Sequence, residues 1–114
     1  GYIMNRVTIK LLEAKVDYLN RLTCSPSASY TRDGDKFRSN PGHYQIGQAH
    51  GGVELQRIFN EGGAVSTPLN TGHVPKRELA VLIDAYTRGI ESEQLRPKYS
   101  PYAYTRGIES EQQR

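Results

Sequence analysis

The chain has 114 residues, 36% of them hydrophobic and 24% charged, which is typical of one globular domain with a modest core and excludes a long disordered chain. No apolar run approaches the roughly 20 residues of a membrane span, and no basic segment followed by an apolar one resembles a signal peptide. Residues 95–114, with four basic and two acidic side chains, contribute +2 of the formal net charge of +3, so the rest of the chain lacks the dense basic stripe of a duplex-binding protein.

The single cysteine, Cys24, excludes a disulfide within the chain. It is predicted to be an ordinary thiol just after the first helix, because no basic partner that would activate it lies nearby in the sequence. Without a disulfide or an export signal, we expect a cytoplasmic protein. We also expect Met4 to be the natural first residue and residues 1–3 to be an upstream remnant.

Residues 4–23 are predicted to form the first helix, because apolar residues recur there at spacings of three and four. The main stripe comprises Val7, Leu11, Ala14, Tyr18 and Leu22, and it is widened by Leu12, Val16 and Leu19. Thr8 is the predicted N-cap, since its hydroxyl can accept a hydrogen bond from a free backbone N–H. Asp17 and Arg21 are spaced to form an ion pair on the polar face, and Pro26 prevents the helix from continuing.

A strand-rich centre follows the first helix. Asp33-Gly34 lies between two short extended runs and predicts a hairpin, and residues 40–42 (Asn-Pro-Gly) predict a second turn. The runs at residues 43–48 and 52–60 are strand candidates. The second run would also suit a helical turn, but the Gly-Gly pairs that flank it favour a strand. Residues 61–73 are a loop by composition, and loops of that length are often functional.

Residues 74–90 are predicted to form the second helix. Pro75 suits the first helical position, and Gly89 is expected to end the helix in a left-handed cap. The apolar stripe comprises Leu79, Leu82, Ile83, Tyr86 and Ile90. The element order predicts an α+β fold over residues 4–94, with an N-terminal helix, a three- or four-stranded antiparallel sheet and a C-terminal helix, followed by a tail at residues 95–114.

The sequence AYTRGIESEQ occurs twice, at residues 85–94 and at residues 103–112. In the second copy, the positions that should complete the apolar stripe hold Pro97, Ser100 and Pro101, so this copy lacks half of its helix. A helix that short is marginal in water. We therefore predict a duplicated tail without a site of its own. The alternative is that the second copy docks on a neighbouring subunit.

The start of the second helix is the main candidate site. Lys76 and Arg77 lie in its first turn, where the helix dipole disfavours cations, and a bound anion would explain them. Thr71 and His73 precede them and could complete a phosphate cradle. The alternative is that Lys76 and Arg77 only face solvent, and GHVPKR does not match the phosphate-binding loop GxxxxGK[ST].

A second group of candidates lies between the two Gly-Gly pairs. Arg57, Phe59 and Asn60 offer the charge, the aromatic ring and the amide that a nucleotide site needs. Phe59 is alternatively a core residue. No metal site and no cofactor are predicted, because the three histidines are widely spaced and only one cysteine accompanies them. No nucleophile lies at a recognisable spacing from a base, so an enzyme is the least favoured class.

Two resemblances complete the sequence analysis. The order helix, three strands, helix, with Lys76-Arg77 opening the last helix and His43 ending an Asn-Pro-Gly-His loop, is similar to double-stranded RNA-binding domains, although in that family the loop reads Gly-Pro-x-His. The segments NEGGAVSTPL and GHVPKREL, within residues 4–91, resemble small uncharacterised phage and prophage proteins. That likeness implies an accessory protein that acts stoichiometrically.

Together these observations favour a non-enzymatic binding protein, homo-oligomeric and not membrane-bound, that takes an anionic, nucleotide-type ligand. The ligand would be held by Lys76 and Arg77, assisted by His73, Thr71, Arg57 and Asn60. The alternatives are a double-stranded RNA or other nucleic-acid-binding module, which would lose affinity steeply with salt, and a protein-interaction module that blocks a host factor and exposes an apolar or tyrosine patch.

Overall fold

The computed structural model describes residues 6–96 and shows a helix at each end of five short strands. In chain order the elements are α1 (Ile9–Leu22), β1 (Tyr30–Asp33), β2 (Lys36–Ser39), β3 (Tyr44–Ala49), β4 (Gly52–Ile58), β5 (Val65–Ser66) and α2 (Lys76–Gln94). The predicted α+β fold is confirmed. The predictions about Met4 and about the second copy of the repeat lie outside the described residues. No helix within residues 6–96 is long and apolar enough to cross a bilayer.

The strands form two antiparallel sheets, where the sequence predicted one sheet of three or four strands. β1 and β2 make a two-stranded ribbon, and β3, β4 and β5 make a sheet in that order. The third and shortest strand of that sheet, β5, arises within residues 61–73, which composition assigned to a loop. It pairs only Arg57 with Ser66 and Ile58 with Val65, and two residues leave no periodicity for a sequence pattern to show.

Helix α1 begins where predicted, because the Thr8 hydroxyl oxygen accepts a hydrogen bond from the backbone N–H of Leu11 at 3.1 Å. The predicted ion pair between Asp17 and Arg21 is also present. The main stripe was placed on the wrong face, since Leu11 and Tyr18 are 42% and 41% exposed. The residues that were expected only to widen the stripe are the buried ones, namely Leu12, Val16 and Leu19. The two stripes have the same period, and only docking on the sheet selects one of them.

The turns follow the predicted glycine chemistry. The β1–β2 hairpin has Gly34 and Asp35 as its loop residues, and Gly34 has a φ of 65°. β3 and β4 are joined by His50 and Gly51, whose φ angles of 54° and 77° are both left-handed. Two consecutive positive φ values fit a type I′ turn, and one at the first loop residue fits a type II′ turn; both match the twist of paired strands. In the predicted turn at residues 40–42, the Asn40 carbonyl accepts a hydrogen bond from the His43 N–H at 3.2 Å.

Helix α2 is longer than predicted. Pro75 is its N-cap rather than its first helical residue, and the chain passes through Gly89 in helical conformation. The helix continues because Ile90 packs against the core and the Gln94 side chain donates a hydrogen bond to the Leu22 carbonyl at 3.0 Å. These contacts outweigh the local preference of glycine to end a helix.

The core lies between the two helices and one face of the β3–β4–β5 sheet. α1 packs on α2 and β3, and α2 packs on β4. The helices contribute Leu12, Val16, Leu19, Leu79, Ala80 and Ile83, and the strands contribute Tyr44, Val53 and Leu55. Asn20, also buried, joins the layers, because its carboxamide accepts from the Tyr44 N–H at 2.8 Å and donates to the Tyr44 carbonyl at 3.1 Å. The two-layer arrangement leaves the ends of the sheet open for sites.

Two glycine-to-alanine substitutions should have opposite effects on stability. A Cβ at Gly52 would lie 3.0 Å from the backbone of both His73 and Val74, whereas a Cβ at Gly89 would meet no heavy atom within 4 Å. We expect Gly52→Ala to lower the free energy of unfolding by about 1–3 kcal/mol through overpacking. Gly89→Ala should raise it by about 0.5–1 kcal/mol, because alanine is the better helix former. Urea denaturation followed by circular dichroism measures both, and a neutral Gly52→Ala would contradict the close approach.

Candidate functional site

An open cleft of about 670 Å³ lies where three segments meet at one end of the β3–β4–β5 sheet. These are the residues just before α1, the β3–β4 turn, and the start of α2. The lining residues are Arg6, Val7, Gln48, Ala49, Gly51, Gly52, Val53, Pro75 and Lys76. Antiparallel pairing of Val53 with Val74 holds the segment before α2 against the edge of β4, with both N–H···O distances at 2.8 Å. The absence of a side chain at Gly52 permits this approach.

The cleft is electropositive. Among the described residues, its charged lining side chains are Arg6 and Lys76, and no carboxylate from this part of the chain lines it. Among residues 6–96, neither cation forms an ion pair. Pro75 provides no side-chain acceptor for the free N–H groups in the first turn of α2, so that helix end has no side-chain cap. Glu78 places one carboxylate in the same turn, but it is not among the described residues that line the cleft. The arrangement favours an anion.

Two of the predicted site residues make local contacts beside the cleft instead of lining it. The His73 ring packs edge-on against His50 at 5.5 Å between centroids, and its Nε2 lies 3.6 Å from Oε2 of Glu54. Thr71 donates its hydroxyl hydrogen to the Gly72 carbonyl at 2.7 Å. Arg77 is exposed and is not part of the lining. Of the four residues predicted around the start of α2, the structure thus brings Lys76 into the cleft.

The other two predicted residues lie towards the far end of β4. Arg57 is five residues from Gly52, which corresponds to about 17 Å along an extended strand. Its guanidinium stacks on the Tyr44 ring at 4.5 Å, and its Nε donates to the Gly42 carbonyl at 2.9 Å. The Asn60 side-chain oxygen accepts hydrogen bonds from the backbone N–H groups of residues 62 and 64 at 3.0 and 3.1 Å. Both side chains stabilise a turn or the core edge, and neither meets Lys76.

Phe59, the aromatic candidate in that group, is exposed. The alternative interpretation of Phe59 as a core residue is therefore wrong. Phe59 directly follows Ile58, the last residue of β4, and lies beyond the part of the sheet that the helices cover. Within residues 6–96, neither Phe59 nor any other aromatic residue lines the cleft.

The sequence did not point to Arg6 or Gln48 as site residues. Arg6 precedes the helix N-cap and carries no local signal, so only the packing of α1 brings it opposite Lys76. Gln48 could have been identified from the alternation of residues along β3. Tyr44 and Ile46 alternate towards the core, and a polar residue at the next inward position, beside a glycine turn, marks a place where the core ends.

The described residues offer no catalytic or metal constellation. Within residues 6–96, no histidine side chain is hydrogen-bonded to a serine, threonine or cysteine side chain. In the same range, no group of three or more histidine, cysteine, aspartate or glutamate side chains could hold a metal ion.

Comparison with known proteins does not assign a family. No protein-family model matches the chain, and no curated protein or solved structure is significantly similar to it. The functional argument therefore depends on the geometry of the site itself.

Tyr44 provides a pH test of the contacts at the Arg57 end of the sheet. Burial and the hydrogen bond to the Tyr86 hydroxyl, at 3.0 Å, raise the pKa of Tyr44 from 10.0 to about 12. Between these values the unfolded chain binds fewer protons than the folded chain, so the free energy of unfolding should fall by about 2–3 kcal/mol as the pH rises from about 10 to about 12. Tyr44→Phe should lose less stability across this range in denaturant titrations.

Tyr18→Phe is the matched control. A hydrogen bond to the Glu91 carboxylate raises the pKa of Tyr18 as well, but this side chain is exposed and its contribution is screened by solvent. We expect its alkaline stability profile to follow the unsubstituted protein. An alkaline loss that is unchanged in Tyr44→Phe would contradict the assignment to Tyr44.

Proposed function

We propose that the chain is a non-catalytic binding protein for a small phosphate-bearing anion, which it holds in the cleft at the start of α2. The supporting observation is that the two charged side chains that the described part of the chain places in the cleft, Arg6 and Lys76, are both cations and come from different segments. The uncapped N-terminus of α2 adds backbone N–H donors and a favourable dipole at the same place.

The dimensions of the cleft favour a ligand of mononucleotide size. A volume of about 670 Å³ lies within the range of small-molecule sites. Gln48 adds an amide that can both donate and accept hydrogen bonds, as the edge of a nucleobase requires. Since no aromatic ring from residues 6–96 is in the lining, recognition in this proposal depends on charge and hydrogen bonding.

In this proposal the protein binds its ligand without converting it, and this determines how the protein acts. A protein that binds without converting its ligand acts stoichiometrically, as a buffer or a sequestering agent. The proposal keeps the expectation from the sequence that the chain is a homo-oligomeric, cytoplasmic accessory protein. Native mass spectrometry of the gently purified protein would show the number of subunits and any retained ligand.

Lys76 and Arg77 form a matched pair for testing the cleft, because they are adjacent cations and only Lys76 lines it. Isothermal titration calorimetry with adenosine 5′-monophosphate should show that Lys76→Ala weakens binding by roughly 10- to 100-fold, as expected for a lost charge-assisted hydrogen bond. Arg77→Ala should change the affinity by less than about twofold. Inorganic phosphate, titrated in parallel, shows how much of the affinity comes from the phosphate group alone.

Two outcomes would contradict the proposal. One is an equal loss of affinity in both variants, which would indicate general surface charge in place of the cleft. The other is an absence of binding by the unsubstituted protein to both probes and of any retained ligand in native mass spectrometry. Circular dichroism melting curves check that each variant remains folded.

A further inference from the structure

The β1–β2 ribbon exposes its side chains in a way that the fold does not require. Every residue of the two strands except Ser39 is exposed, including the aromatic residues Tyr30 and Phe37, at 55% and 62%. No other described helix or strand packs extensively against the ribbon. Two large exposed aromatic rings on one small element, with no described helix or strand over them, are typical of a surface that binds a partner.

The strand register collects these rings with a cation on one face. Tyr30 pairs with Ser39, and Arg32 pairs with Phe37, so these four side chains share a face. The two rings meet edge-to-face at 5.1 Å, and the Arg32 guanidinium lies 5.6 Å from the centroid of the Phe37 ring. We name this surface, formed by Tyr30, Arg32, Phe37 and Ser39, the ribbon face.

The acidic side chains of the ribbon lie elsewhere. Asp33 is on the opposite face, where its carboxylate accepts a hydrogen bond from Arg38 at 2.8 Å, and Asp35 lies in the hairpin loop. The ribbon face therefore carries a positive charge and two rings without a carboxylate. Lys36, exposed on the opposite face, adds a further cation to the ribbon.

Hydrogen bonds at its base hold the ribbon in place. The Asn40 N–H donates to the Ser29 carbonyl at 2.9 Å, and the Asn40 side chain donates to the Ala28 carbonyl at 3.0 Å. The Ser39 N–H donates to the Glu61 carbonyl at 3.1 Å. An isolated two-stranded hairpin is marginally stable in water. These anchors preorganise the ribbon, and the entropy cost of binding a partner falls accordingly.

We infer that the ribbon face binds single-stranded nucleic acid, with bases stacked on Tyr30 and Phe37 and a phosphate held by Arg32. Charge complementarity decides between possible occupants. The Arg32 Nε donates a hydrogen bond to the Gly34 carbonyl at 3.0 Å, and among residues 6–96 its terminal nitrogens form no hydrogen bond or ion pair. An apolar protein surface would cover the rings but desolvate these charged donors, whereas a single strand supplies both aromatic faces and phosphates. In a duplex the bases are stacked on one another inside the helix, so they are not free to stack on Tyr30 and Phe37.

This surface is separate from the cleft at the start of α2. The ribbon joins the body through Asn40, two residues before Gly42, whose N–H donates to the Ile58 carbonyl at 2.8 Å. The ribbon thus lies at the Ile58 end of β4, and the cleft lies at the Gly52 end. The two proposals can therefore succeed or fail independently.

Fluorescence anisotropy with fluorescein-labelled single strands, a 20-nucleotide oligo(dT) and a 20-nucleotide oligo(rU), tests the inference. Phe37→Ala should weaken binding by roughly 5- to 150-fold, as expected for the loss of one stacked base. Tyr18→Ala is the matched control, because it removes an exposed aromatic ring from α1, and its affinity should remain within about twofold. Phe37→Leu, which keeps an apolar contact without a π face, should resemble Phe37→Ala and also covers the case in which Phe37→Ala fails to fold.

Salt dependence tests the role of the cation. Arg32→Ala should reduce the slope of log affinity against log salt concentration by about 0.7, the value for one phosphate contact on a single strand. Arg77→Ala removes an exposed cation outside both the cleft lining and the ribbon face, so it should leave oligonucleotide affinity unchanged and separates the effect of Arg32 from that of general surface charge. A preference between oligo(dT) and oligo(rU) would distinguish DNA from RNA, and either supports the inference.

Three results would overturn the inference. The first is an absence of binding by the unsubstituted protein to both single strands. The second is tighter binding to a 20-base-pair duplex that Phe37→Ala does not affect, which would favour recognition through the phosphate field alone. The third is an equal loss of affinity in Tyr18→Ala and Phe37→Ala.

Discussion

The position of α1 on the sheet depends on the carboxamide of Asn20. This buried side chain bonds to both the N–H and the carbonyl of Tyr44, as a neighbouring strand would. β3 is the edge strand of its sheet, so these backbone groups have no strand partner on that side, and burying them unpaired would be costly. Once Tyr44 is held in this way, its ring enters the core, its hydroxyl reaches Tyr86 on α2, and its other side supports the Arg57 guanidinium. A single amide thus couples both helices to the sheet.

The cations at the two ends of β4 differ in the contacts that they make. At the Tyr44 end, Arg57 is stacked and hydrogen-bonded within the protein, so its charge serves packing and turn geometry. At the opposite end, Arg6 and Lys76 reach a cleft in which residues 6–96 place no carboxylate. Arg57 has hydrogen-bond acceptors within the protein, whereas Arg6 and Lys76 form no ion pair within residues 6–96 and would attract an incoming anion. The two ends of β4 carry similar basic residues, so the difference between them comes from the groups that surround each cation.

Local chemistry explains which features of the fold could be predicted from the sequence. The Thr8 cap, the Asp17–Arg21 pair and the Gly-containing turns depend on residues within about four positions of one another, and all are present. The errors concern choices between locally equivalent options. α1 had two apolar stripes of equal period, and the core selected the one with Leu12. Gly89 favours a helix end, but contacts of Ile90 and Gln94 extend α2 beyond it. The division into a ribbon and a main sheet was not predicted, because the signals for individual strands do not specify which strands pair.

The sequence by itself determined the α+β class, the turns and the unusual placement of Lys76 at a helix start, because each of these follows from backbone conformation or dipoles over a few residues. Only the tertiary structure decided which cations share a site. Arg57 and Asn60 matched the composition of a nucleotide site, but strand geometry places them away from Lys76, and the packing of α1 brings Arg6 there instead. It also decided that Tyr30 and Phe37 share an exposed face, since this depends on strand register and on where the two helices pack. Such proximity arises between residues far apart in the chain, where a single sequence carries no distance information.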